Sequence, residues 1–143
     1  MTSNVDTITH VPSQSSHRAR AALRAARRAD WAGQADAELL RAWRDWQAAA
    51  RAQMKAPSNL SDAEGWRLYA AVEAAADRIC EMTPSGTAGL AVRLKLLFSR
   101  WSEDPDVHYA LAYGDPITDD MLPDGRTAHA WAVIQDAERM AAA

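Results

Sequence analysis

The chain has 143 residues, 48% hydrophobic and 24% charged, with a formal net charge of −3. That is enough for one soluble domain burying about two-thirds of its unfolded surface, and no apolar run approaches the roughly 18 residues of a membrane span. A single cysteine excludes an intramolecular disulfide framework or a cysteine zinc cluster and fits a reducing, cytoplasmic setting, while six glycines and six prolines are too few for collagen or low-complexity sequence.

Residues 1–16 are polar, with Ser3, Thr7, Thr9, Pro12, Ser13 and Ser15, and read as a disordered arm without the apolar core of a secretory signal. Residues 17–30 hold five arginines and no acid before Asp30. A helix there sets Arg20, Arg24 and either Arg27 or Arg28 one turn apart, a guanidinium stripe suited to phosphate oxygens. The same residues also fit a plain solvated helix end, and a Ser- and Arg-rich, acid-poor start imitates an organellar transit peptide.

A single helical domain is expected over 31–143. Alanine dominates, β-branched residues are few, and six of the ten aromatics are tryptophan. Asp36 is placed to cap a helix whose stripe is Leu39, Trp43, Trp46, Ala50 and Met54. Pro57-Ser58-Asn59 reads as a turn, and Ser61 with Glu64 forms the capping box of a second helix. There Trp66 and Tyr69 lead into Val72, Ala76, Ile79 and Cys80 on one predicted face, with Cys80 read as a buried small hydrophobe. Two helices, over 36–56 and 61–82, each about 30 Å long, predict an antiparallel hairpin.

After the Pro84-Ser85-Gly86 break, Thr87 is expected to cap a third helix with Leu90, Leu94, Leu97, Phe98 and Trp101 toward the core. Asp104-Pro105 starts a short helix that Gly114 ends. A last helix from Arg126 to Met140 carries Ala130, Trp131, Ile134 and Ala137. The expected architecture is all-α, a helical hairpin completed to a three- or four-helix bundle.

The run Asp36-Ala37-Glu38-Leu39-Leu40, a long second helix with an early Trp66, and Pro84-Ser85-Gly86-Thr87-Ala88-Gly89-Leu90 through Arg93 resemble a pattern in small uncharacterised helical proteins of alphaproteobacteria and their prophages. The similarity covers residues 36–101, with Arg93 where lysine is commoner. The resemblance implies a bacterial origin and a helical fold, and it transfers no activity.

No pairing of residues points to an enzyme, cofactor or metal. His10, His17, His108 and His129 form no H-x-x-x-H pair. The acidic residues from Asp104 to Asp124 lack the alternate-ligand spacing of a calcium loop. Gly86-Thr87-Ala88-Gly89 at a helix start offers backbone N–H groups to an anion, but its leading reading is a plain helix break and cap with Gly89 allowing close packing.

Charge is distributed unevenly. Residues 1–30 carry +3, residues 31–101 carry +1, and residues 102–143, with nine acidic groups against Arg126 and Arg139, carry −7. Such a domain lacks the broad positive field of a duplex binder. The expectation is therefore a non-enzymatic protein-interaction module, with a protein partner or a homodimer ahead of nucleic acid. Trp31, Trp43 and Trp46 join the arginines as candidate contacts. Trp43 and Trp46 fall on the predicted core stripe, so packing is their leading reading. Because they cannot both point straight at one neighbouring helix, one of them, or Trp31 in the preceding linker, is the alternative contact for a partner.

Overall fold

The computed structural model describes the backbone of residues 14–143 and the side chains of 18–27, 34 and 36–143. It contains helices α1 (Gln14–Met54), α2 (Asp62–Glu81), α3 (Thr87–Trp101), α4 (Pro105–Tyr113) and α5 (Gly125–Ala142), with one 3₁₀ turn at Asp119–Met121. The protein is all-α, with no strand among the described residues. The chain divides after Trp31 into two compact units, the second being Ala32–Ala143. The arm expected over residues 1–16 lies outside the described residues as far as residue 13, and from Gln14 the chain is helical.

Asp36 does not start a helix. The alanines and arginines before it are strong helix formers, so α1 begins at Gln14 and Asp36 falls in its interior. Its carboxylate is buried and caps another helix instead: Oδ1 accepts the N–H groups of Ser85 at 3.0 Å and Gly86 at 3.3 Å. Gly86 is the N-cap of α3 and has no side chain to offer, so Thr87 takes the first helical position rather than the cap. A carboxylate placed there satisfies orphan donors and opposes the helix dipole. The approach needs glycine. A Cβ on Gly86 would lie 2.7 Å from Asp36 Oδ2, and one on Gly89 would lie 2.8 Å from Leu39 Cδ1.

The other helix ends follow local chemistry. Ser61 and Glu64 cap α2 reciprocally. The Ser61 hydroxyl and N–H hold the Glu64 carboxyl below its ordinary pKa. Asp104 accepts the Asp106 N–H at 2.9 Å ahead of Pro105, and Gly114, at φ 73°, closes α4 in the left-handed conformation. Asp124 accepts the Thr127 N–H at 2.7 Å and starts α5.

The core of the Ala32–Ala143 unit is built around Trp46, Leu39, Ile79 and Val107, all fully enclosed. Three expectations about faces are corrected. Cys80 is exposed, and so are Trp66 and Tyr69, whose rings meet edge to face at 5.7 Å. These three lie roughly 60–120° around α2 from the Val72–Ala76–Ile79 line, on the shoulder of the buried stripe. On α3, Leu90, Leu97 and Trp101 face outward, while Gly89, Val92, Leu96 and Ser99 form one buried row and Ala91 with Phe98 another. α3 is apolar almost all round, so periodicity alone does not choose its inner face. α3 packs along α5, with the Phe98 and Trp131 rings 5.3 Å apart, while Gly89 lets α3 approach Asp36 and Leu39 of α1 closely.

Candidate functional site

The residues singled out in the sequence do not converge on one site. Arg20, Arg24 and Arg27 are exposed on α1, within an arc of about 60°. The side chains of Arg28 and Trp31 lie outside the described residues. Trp43 and Trp46 belong to the core: their rings stack at 4.7 Å with 15° between planes, and only 7% and 2% of each residue is exposed. Residues three apart are separated by only about 60° around a helix, and a buried stripe some 100° wide takes both. Neither is left for a partner.

One outward-facing apolar feature is the α3 row expected to face inward, in which Leu90, Leu97 and Trp101 are exposed and Leu94 is half-buried against the core. Leu90, Leu94, Leu97 and Trp101 lie within an arc of about 60° on α3. Leu97 is 63% exposed. A groove lies on each side of this ridge. The one toward α2, about 360 Å³, is lined by Ile79, Cys80, Pro84 and the leucines, with Arg93 and Arg100. The one toward α5, about 380 Å³, is lined by apolar residues throughout, among them Phe98, Val133 and Ile134. Arg100 pairs with Glu73 at 3.0 Å, whereas Arg93 has no ion-pair partner among the described residues. An isolated exposed leucine is ordinary; here the exposed leucines lie between two largely apolar grooves. The row's 4-3-4 spacing was legible; which way it faced was not.

Polar groups gather elsewhere. Ser99 Oγ and His108 Nδ1 share a hydrogen bond of 2.7 Å, the His108 ring stands edge-on to Trp46 at 5.3 Å, and burial lowers its pKa. The second ring nitrogen has no hydrogen-bond partner among the described residues. The pair fastens α3 to α4. Lys95 pairs with Glu138 and lies 5.9 Å above the Trp43 ring. The anion site offered by Gly86 and its neighbours is already filled by the chain's own Asp36 carboxylate. Among the described residues, no three His, Cys, Asp or Glu side chains gather to hold a metal ion, and no helix is long and apolar enough to cross a membrane.

Compared with family models, curated proteins and solved structures, the chain matches none.

Proposed function

We propose that this chain is a non-enzymatic helical interaction module, of bacterial or prophage type and cytoplasmic, whose partner docks on α3. The observation that carries the reading is Leu97, 63% exposed on a leucine ridge with an apolar groove on either side. In this reading α2 runs antiparallel beside the second half of α1 as a hairpin, and α3 and α5 complete the bundle. Two pairs support that arrangement: Asp36 meets Ser85, and Asp45 meets Arg78 at 3.2 Å, so partner numbers fall as α1 numbers rise.

The chain's single cysteine supplies the test. Cys80 is exposed and lines the groove toward α2. A benzophenone coupled to its Sγ and irradiated in a native lysate should give discrete protein adducts. Leu97→Glu should remove them while leaving helix content unchanged. Adducts that persist in Leu97→Glu, or an absence of adducts in the wild type, would contradict docking at α3.

A second reading, a nucleic-acid-associated accessory protein, is favoured by one observation: Arg20, Arg24 and Arg27 share an exposed arc. It ranks second because residues 102–143 carry −7, which opposes the broad basic footprint a nucleic-acid binder presents.

A further inference from the structure

The interaction reading leaves the chemistry of the partner open, and the flanks of the α3 ridge narrow it. Leu90, Leu94, Leu97 and Trp101 follow the 4-3-4 spacing of a coiled-coil seam, the positions written d-a-d-a. On that register Arg93 and Arg100 both fall at g, bordering the seam on one side. On the other side the e positions are Ala91 and Phe98, buried within the protein's own core. The seam therefore has one charged flank, and that flank is cationic. No acidic residue lines either groove.

We infer that this face docks an amphipathic helix of another protein carrying aspartate or glutamate seven residues apart beside its apolar stripe. The inference rests on the interaction reading above. α3 spans 15 residues, about 22 Å, so it meets about four turns of such a helix. Side chains of that helix on either side of its own stripe enter the two grooves beside the leucine ridge, as in helix-in-groove recognition.

A second copy of this chain is the poorer occupant on electrostatic grounds. Antiparallel pairing of two α3 seams brings g against g, so Arg93 of one copy meets Arg100 of the other. Parallel pairing brings g against e, where Ala91 and Phe98 offer no carboxylate. Like charges across an interface discriminate against that partner, and opposite charges favour the other. Arg93 has no ion-pair partner among the described residues. The Arg100 side chain remains 45% exposed despite Glu73, and a guanidinium with five donors has room for a second carboxylate.

Two synthetic helices of about 18 residues, or five turns, test this directly. Both carry the same leucine stripe. One has glutamate at the flanking positions and the other lysine. Each is labelled with fluorescein and titrated with the full chain at about 150 mM salt, where exposed charges beyond roughly 8 Å are screened. The glutamate helix should bind in the micromolar range and the lysine helix about tenfold more weakly, a difference of 1.4 kcal/mol. Arg93→Glu should reverse the order, and Leu97→Glu should weaken both by about tenfold or more. Equal binding of the two helices, or indifference to Arg93→Glu, would overturn the acidic-partner inference. So would failure of both helices to bind while the Cys80 adducts survive, which leaves the interaction reading standing. A dimer in sedimentation that Leu97→Glu dissolves would assign the face to a second copy and overturn the inference. Loss of adducts, helix binding and dimer together would end the interaction reading itself.

Discussion

Asp36 holds the start of α3 from within α1, and its two backbone partners, Ser85 and Gly86, both donate to the one carboxylate oxygen. Asp36→Ala leaves those donors unpaired and should cost about 1–3 kcal/mol of unfolding free energy in urea. Asp36→Asn keeps an acceptor oxygen and should recover part of the loss. Gly89→Ala drives a Cβ against the Asp36 carboxylate and to 2.8 Å from Leu39 Cδ1. The overpacking cost of about 1–3 kcal/mol is offset by about 1 kcal/mol of helix propensity, so a net loss of up to about 2 kcal/mol is expected in urea unfolding. His108 gives a pH signature of defined sign. Burial lowers its folded pKa below the unfolded value of about 6.5, so the unfolded state takes up the proton first. Its contribution is complete well above pH 6.5, falls as pH drops through that value, and levels off below the folded pKa. Between pH 7.5 and 5.5 the wild-type unfolding midpoint should therefore fall further than that of His108→Gln. Equal slopes in the two proteins would remove this account of His108.

At the scale of whole elements, punctuation was more legible than orientation. Ser61 with Glu64, Asp104 with Pro105, and Gly114 each act through neighbours within a few residues, so short spacings suffice to find them. α2 and α4 accordingly lie where the sequence puts them. Asp36 misleads because the same side chain that favours a local cap can serve a distant one, and the alanine-rich stretch before it continues the helix. α3 misleads for a different reason. Its leucines define a clear stripe, but Gly89 lets a different face approach α1 closely, and Ala91, Val92, Leu96 and Phe98 are buried on that side. Packing follows the face that fits rather than the one with the most carbon. The exposed candidate surface consequently appears in the sequence as core, whereas Trp43 and Trp46, whose leading reading is core packing, are core and the alternative of a contact falls away.

Across the whole molecule, charge and apolar exposure point to different partners. If the α1 arginines bound duplex DNA, each neutralised phosphate would release counterions and binding would weaken steeply with salt. Exchanging Arg20, Arg24, Arg27 and Arg28 for alanine, a stronger helix former, would then abolish retention without loss of helix. The charge of −7 on residues 102–143 instead predicts no retention of duplex at about 150 mM salt; submicromolar binding there would promote the nucleic-acid reading over the protein partner. The central claim is that α3 turns its leucine ridge away from the core, and two adjacent residues test it. Leu96 is 2% exposed and Leu97 is 63% exposed. In matched urea unfolding, Leu96→Ala should lose about 2–5 kcal/mol and Leu97→Ala less than about 0.5 kcal/mol. Comparable losses at both positions would show that the ridge is already packed within the protein and has no face to offer a partner.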